Sequence, residues 1–510
     1  MFSAACLFAV GLVSPTASAI APAPAPVQRA LEREMRAVWI PADSTVLRSQ
    51  AAIAEAMDNL AAWGFNTVFA QVLEGSRTLY PSPVMAAESG QEVDPRFAGR
   101  DLVAELVLEA HRAGLELFPW LAGGLTVPAT GAPAPLALAH PDWLCVDESG
   151  AKLVHARMHW FDWQQPKLQS FASALLADLV QRYPIDGLQF DDRFPALPRA
   201  APASASVSAT EGRTALLTEW LAGTRQRLQS IDPALVLAVA PLGAGASLVE
   251  FAQDSAAWRA RKLIDIELVQ AADRDFAMWQ TAVGQMELGQ FTPVVFQRLP
   301  AGSFTKAGDR RLPSQLLVEA VAWSRSGGAG HVSFDYDGLV AHGSELPAAL
   351  RAGPYKHNAS TPWRERPNWR PRGMIFPALA EGAEGAWHMD AEWPDFQVLD
   401  GGVQGSFGWW VQQPHSAWFD VHVWVPAQQR GLAGKATYLL QGEQQRTWVE
   451  LALGAIEQPG WVRVGSVDLR GGELVEPLRL IATETSPDKH TAAGPILLVL
   501  NRRLSPDLRW

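Results

Sequence analysis

The acids best placed to do chemistry sit at the end of one short apolar run, Asp186-Gly187-Leu188-Gln189-Phe190-Asp191-Asp192. Side chains alternate along an extended chain, so Gly187, Gln189 and Asp191 share one side while Leu188 and Phe190 share the other. The apolar pair suits a helix layer, which turns Gln189 and Asp191 towards the interior. Glycosidic cleavage needs a pair of carboxyl groups in such a place, one donating a proton and one stabilising the oxocarbenium ion. The plainer reading of Asp191 and Asp192 is that they cap the next turn. Glu267 lies in Asp265-Ile266-Glu267-Leu268-Val269-Gln270, where an acid is costly unless it faces a polar pocket, and it is the leading proton-donor candidate. Gln71, Trp120, Gln189, Gln270 and Asp335 are expected to line the substrate, with Trp120 read either as a sugar platform or as core. Glu74 and Asp337 read as solvated loop acids. The sequence has no Walker loop, GxSxG elbow or HExxH motif, so phosphoryl-transfer, esterase and zincin chemistry lack their markers. No cofactor or metal is expected.

Parallel βα units would hold these residues. Short β-rich runs alternate with longer helical ones: Met35–Ile40 then Gln50–Trp63, Asn66–Val72 then Arg100–Ala113, and Leu115–Leu121 then Pro166–Tyr183. Ile185–Phe190 precedes Arg213–Ile231, and Leu235–Ala240, Leu263–Val269, Thr292–Gln297 and His331–Tyr336 supply four more strands. The count is that of a (β/α)8 TIM barrel, whose active residues lie at the C-terminal strand ends. An open doubly wound sheet would carry a glycine-rich phosphate loop after its first strand, and none follows Ile40. Ala196–Thr210 reads as an inserted loop, and Gly353–Arg372, with four prolines, as an exposed tether open to proteases. Period-two runs at Trp418–Val425, Ala436–Leu440, Trp448–Leu453, Trp461–Val467, Leu478–Ala482 and Ile496–Leu500 have no helices between them. They predict a smaller all-β sandwich.

The expected divisions are 1–19 as signal peptide, 20–33 as Ala/Pro spacer, 34–352 as barrel, 353–385 as linker and 386–510 as sandwich. The apolar run Ala4–Val13 ends at Ala17-Ser18-Ala19, a cleavage-like pattern, and is too short to span a bilayer. It implies export, to the periplasm or beyond the cell, with Cys145 as the only cysteine left in the mature chain. That excludes a disulfide framework within the chain and a zinc cluster built on thiolates. A net charge of -11 without a basic run argues against nucleic acid as a partner. The chain has 21 Trp against 5 Tyr, and flat indoles suit both core packing and stacking on sugar rings.

The runs Glu34-Met35-Arg36-Ala37-Val38-Trp39-Ile40, Asn66-Thr67-Val68-Phe69-Ala70-Gln71-Val72 and Leu79-Tyr80-Pro81-Ser82 resemble the opening of the glycosyl-hydrolase-like family ten. His111–Glu116, His140–Leu144 and Tyr183–Asp192 extend the likeness, which spans about Glu34 to Leu350. The resemblance implies a bacterial envelope protein with a (β/α)8 barrel. It also implies action on peptidoglycan glycan strands that have lost their stem peptides. The run through Asp191 is similar to a more distant alpha-amylase-like pattern, in which the acid at that position is the nucleophile; Gln189 replaces its arginine. Three places depart from the family pattern. Leu121-Ala122-Gly123-Gly124 stands where an Asn-Pro step follows the third-strand tryptophan, Arg193 where an aromatic is usual, and Val269-Gln270-Ala271-Ala272 where a Pro-Gln-aromatic step is usual. Residues from about Ala386 to Arg503 resemble a golvesin-like sandwich.

The expectation is an exported glycoside hydrolase acting on a cell-envelope polysaccharide, with Asp191 as nucleophile or charge stabiliser. Its rivals are a non-catalytic glycan-binding barrel and a hydrolase of another exported polysaccharide.

Overall fold

The computed structural model describes residues 32–147, 149–199, 210–242, 244–270, 294–296, 314–327, 330–365, 368–391, 393–426, 431–456 and 459–510. The expected signal peptide, nearly all of the spacer, and the middle of the Ala196–Thr210 loop lie outside these residues.

Eight strands make the first sheet: β1 (Met35–Ile40), β2 (Thr67–Gln71), β3 (Glu116–Leu121), β4 (Gly187–Asp191), β5 (Val236–Ala240), β6 (Ile266–Glu267 continuing as Val269–Gln270), β7 (Val294–Phe296) and β8 (Gly330–Ser333). Every pairing is parallel, in the order β6-β5-β4-β3-β2-β1-β8-β7-β6. The two halves of β6 pair with β5 and with β7, so the sheet closes on itself as a (β/α)8 barrel. Helices α1 (Gln50–Trp63), α2 (Leu102–Ala113), α3 (Pro166–Arg182) and α4 (Thr210–Ile231) cover its outside. Capping fixes where two of them start and stop. Ser49 accepts the Ala52 N–H and Asp101 that of Ala104, while Gly64 and Gly114 end the helices at φ 95° and 83°.

Strand alternation sorts the core into two layers. Met35, Ala37, Trp39, Phe69, Phe118, Val236, Ala238, Ala240, Ile266, Leu268 and Val332 fill the barrel, while Val38, Ile40, Val68, Leu117, Leu188, Phe190, Leu237 and Val239 pack against the helices. Gly187 makes room inside. A Cβ there would lie 2.1 Å from the Phe118 ring.

The second part is a sandwich of two antiparallel sheets. Strands β9 (Met374–Phe376), β10 (Ala383–Glu384), β11 (Ser406–Gln412), β12 (Ala417–Val425), β13 (Ala436–Gln441), β14 (Arg446–Leu451), β15 (Gly460–Leu469), β16 (Leu474–Ile481) and β17 (Ile496–Leu500) order as β9-β17-β12-β15 and β10-β11-β16-β13-β14. Phe407, Trp409, Phe419, Val421, Val423, Tyr438, Leu478, Leu480 and Leu498 form the core between them.

The segment Gly353–Arg372 is not the exposed tether its prolines suggest. It crosses the N-terminal mouth of the barrel and fills it. Glu116, at the start of β3, accepts from Arg364 at 2.9 and 2.8 Å and from the Trp363 indole at 3.1 Å, and also bonds Thr361. Arg364 donates further to the Asp186 and Ala234 carbonyls at 3.0 and 2.7 Å. Tyr355 is fully buried beneath Arg36, whose guanidinium lies 4.4 Å from its ring centre. The strand-start acids are buried and must be paired, so the tether folds inward to bring them arginines.

Removing one partner of a buried ion pair strands the other, at about 3–5 kcal/mol. Arg364→Met should therefore lower the free energy of unfolding by that amount. Adding Glu116→Met should recover part of the loss, and simple additivity in the double-mutant cycle would show that the pair does not stabilise the mouth.

Candidate active site

The end of β4 lies inside the barrel as strand alternation requires. Leu188 and Phe190 belong to the outer layer, and Gln189 reaches the interior Trp39, whose Nε1 donates to Gln189 Oε1 at 2.6 Å. Asp191 is buried on the same side. Its Oδ2 accepts the Gly123 N–H at 2.6 Å and its Oδ1 the Arg193 N–H at 2.9 Å. Gln253 clamps the backbone from outside, donating to the Asp191 and Pro195 carbonyls at 3.0 and 3.1 Å.

Burial raises the Asp191 pKa, and the neighbouring Asp192 adds to it. The backbone donors and Arg193 pull the other way, and the result is a carboxyl pushed up to about 7. Asp192 is also raised by burial, against the charge of Arg193, whose Nε is 4.0 Å away. An acid poised there exchanges a proton at working pH.

Trp39 is buried in the barrel interior and centres an aromatic cluster there. Its ring lies 5.7 Å from Trp120, 5.8 Å from Phe334 and 6.1 Å from Phe69. Trp120 is half-buried at the end of β3, and its buried Nε1 has no hydrogen-bond partner among the described residues. Asp335, just after β8, is buried and caps the helix Tyr336–Val340 by accepting the Gly338 N–H at 2.9 Å. Burial raises its pKa, with Asp337 and Asp43 adding to the effect. Among the described residues no group of three or more His, Cys, Asp or Glu is placed to hold a metal ion.

Other expected site residues fall elsewhere. Glu267 points away from the cleft. Its neighbours Ile266 and Leu268 fill the barrel interior, so alternation turns Glu267 to the helix side, where Arg259 pairs with it at 2.9 Å. Its burial is thus explained by an ion pair and not by a polar pocket. Gln71 spends its amide on loops, accepting from Ala42 N at 2.9 Å and donating to Leu73 O at 3.0 Å. Gln189 is fully buried, and its second amide atom donates to Phe190 O at 3.3 Å. Both are braces of the site and not groups free to meet a substrate. The side chain of Gln270 lies outside the described residues. Glu74 pairs with Arg96, and Asp337 accepts from Thr45 Oγ1 at 2.7 Å.

Sequence reasoning did not single out Trp39 and Gly123, though both leave a trace. Trp39 has the parity of Met35 and Ala37 in β1. Gly123 and Gly124, noted only as a departure from the family pattern, have φ 68° and 54°, where side chains with a Cβ are strained. A Cβ on Gly124 would lie 2.1 Å from the Arg193 carbonyl oxygen. The Gly-Gly step thus lets the loop after β3 lie against the loop after β4 and deliver an N–H to Asp191.

A closed (β/α)8 barrel places its active residues at the C-terminal strand ends, where Asp191, Asp192 and Asp335 lie, and glycosidic cleavage uses a pair of carboxyl groups. The chain belongs to the family glycosyl hydrolase-like 10, which matches residues 34–295, just over half of it. The glycosyl hydrolase DigH of Escherichia coli K12 is 30% identical over 164 residues, 28% of this chain and 34% of that protein. DigH of Shigella flexneri matches to the same extent. The chain therefore spans about a third of the length of these curated relatives. Among solved structures, the alpha-galactosidase AgaA of Geobacillus stearothermophilus matches with a TM-score of 0.45 at 11% identity, over 88% of this chain and 55% of that one. An alpha-amylase from Lactobacillus plantarum gives 0.44 at 12% identity, over 88% and 98%.

Gly124→Ala should push the two loops apart and loosen the donor on Asp191. A loss of one hydrogen bond to a charged group, about 1.5–3 kcal/mol, corresponds to a roughly ten- to hundredfold fall in kcat. An unchanged kcat in a correctly folded variant would show that the Gly123 N–H does not support the reaction.

Proposed function

We propose that this glycosyl-hydrolase-like chain cleaves glycosidic bonds of a cell-envelope polysaccharide, namely peptidoglycan strands that have lost their stem peptides. It acts outside the cytoplasm, in the periplasm or beyond the cell. The observation that carries the reading is Asp191: a buried carboxyl at the C-terminal end of β4, held by two backbone N–H groups. Asp191 serves as nucleophile or charge stabiliser of the oxocarbenium ion. With Glu267 turned to the helix layer, Asp335 takes the role of proton donor, because burial raises its pKa and its cap uses one oxygen only. Trp120 offers the exposed part of its indole ring to a sugar. The substrate follows from bulk and charge: a stem peptide makes a strand wide and ionic, whereas a bare strand lies along a cleft of indoles and carboxyls. An acidic chain has no general attraction to an anionic wall, so selectivity belongs to the cleft.

Release of sugars from amidase-treated sacculi should exceed release from intact sacculi. Equal rates would sink the stripped-strand substrate, and binding without release on either would favour a non-catalytic glycan-binding barrel. Asp191→Ala should lower turnover about a thousandfold or more with the fold intact. Asp335→Asn should suffer less on an activated aryl glycoside, whose leaving group needs no proton, than on the polymer.

The pH profile separates the roles of Asp191. Its folded pKa is raised to about 7, so a role as carboxylate requires kcat/KM to climb as pH rises through that value. A fall through the same range would make Asp191 the acid. The raised pKa also means that stability declines as pH rises from the unfolded value near 4 towards 7, since the unfolded chain releases this proton first.

A further inference from the structure

Among the described residues the tryptophans are buried or half-buried except Trp410 and Trp448, which are 50% and 62% exposed. Both belong to the five-stranded sheet of the sandwich and both face outward. Trp410 in β11 lies between Trp409 and Val411, which point into the core. Trp448 in β14 stands opposite Leu439 of β13, whose neighbours Tyr438 and Leu440 point into the core.

The residues between them form a row across the sheet. Gly408 pairs with Arg479, Arg479 with Leu439, and Leu439 with Trp448. Three strand spacings and one two-residue step separate the indoles by roughly 16 Å, at ~4.8 Å per strand and ~3.4 Å per residue. The guanidinium in the middle is pinned. Glu476 holds it at 2.6 and 2.9 Å, Ser406 at 2.9 Å and Glu384 at 2.7 Å. Gly408 gives this network its bed, since a Cβ there would meet Glu476 Oε1 at 2.5 Å. The face is rigid and polar at its centre, with an indole on either flank.

We propose that this face binds an extended polysaccharide chain of uncharged sugar rings. A sugar ring has an apolar C–H face, which an indole covers, and a rim of hydroxyls, which the pinned guanidinium and its carboxylates can bond. The chemistry excludes the other large classes of occupant. Arg479 is matched by Glu476 and Glu384, so the centre offers no net positive charge to a polyanion. The two indoles are set apart by an ion-pair network, where a protein interface would have a contiguous, charge-depleted core. Aromatics of a sandwich core turn inward. These two, at the outer face of their sheet, leave half or more of their surface to solvent. The site stands whether or not the barrel is catalytic.

The test is co-sedimentation of the full chain with insoluble chitin and with cellulose, both polymers of uncharged rings. Wild-type protein should pellet with both. Trp410→Ala and Trp448→Ala should each weaken binding several-fold, and the double variant at least tenfold, with an unchanged thermal midpoint. Cleavage of short soluble oligosaccharides, which reach the barrel unaided, should be the same in all four proteins. Equal binding by wild type and double variant, or no binding of wild type to either polymer, overturns the proposal. Those results leave the hydrolase reading intact if soluble substrates are still cut, whereas binding without any cleavage counts against the hydrolase and not against this face.

Discussion

The interaction on which the structure depends is the set of buried acid–arginine pairs beneath the barrel. Glu116 begins β3 and Asp186 immediately precedes β4, and neither can remain ionised in the interior without a cation. Arg364 answers Glu116 at 2.8 Å, and Arg370 answers Asp186. Asp186 also accepts the Leu117 N–H and meets His111 Nε2, both at 2.9 Å. One carboxylate thereby ties β4 to β3 and to α2, and the arginine that neutralises it also donates to Leu500 of the sandwich at 3.1 Å. The mouth of the barrel, the start of β4 and the junction with the second domain are fixed by the same charges.

Strand β4 thus runs between two aspartates of opposite character. Burial opposes ionisation of both. At the lower end Arg370, His111 and Arg364 overcome it and hold Asp186 well below the usual carboxylate range. At the upper end Asp192 reinforces it, and two backbone donors with Arg193 recover only part, so Asp191 is raised. Full salt-bridge partners make a carboxylate inert and structural, whereas weaker support leaves one able to take up a proton. A strand anchored at its start by Asp186 leaves Asp191, at its end, to two backbone N–H groups.

This division also explains what could be read from the sequence. The barrel, its strand order and the inward parity of Asp191 were legible because they rest on period-two and helical patterns. So was the sandwich. Glu267 was misread because an acid in an apolar strand looks alike from either side, and only the parity of Ile266 and Leu268 against the rest of the barrel decides between cleft and helix layer. The glutamines looked like substrate ligands because their amides are free on paper; Ala42, Leu73 and Trp39 occupy them in the fold. Gly353–Arg372 was misread for a related reason. Its prolines suggest a solvated tether, but its arginines are the partners that Glu116 and Asp186 require, from strands about two hundred residues earlier in the chain. Long-range charge pairing has no local signature.

The sandwich treats its two outer faces differently, and the difference follows from the same economy of charge. The β9-β17-β12-β15 sheet turns Asp420 and Arg463, paired at 2.8 Å, towards α2 and α3, and a cavity of about 590 Å³ remains between the parts, lined also by Tyr183 and Trp461. Polar junctions of this kind commonly permit domain motion. Here Arg503 donates to the Val180 and Tyr183 carbonyls at 2.7 and 3.0 Å, and Arg502 to that of Asn368 at 3.2 Å. Guanidinium groups on backbone carbonyls at the ends of a helix and of the plug oppose sliding, because each lost bond leaves a buried polar group. The opposite sheet, free of that duty, carries Trp410 and Trp448 outward. A polar face that must hold a neighbour and an aromatic face that must not bury itself are both satisfied by one sandwich, provided that the plug keeps its orientation.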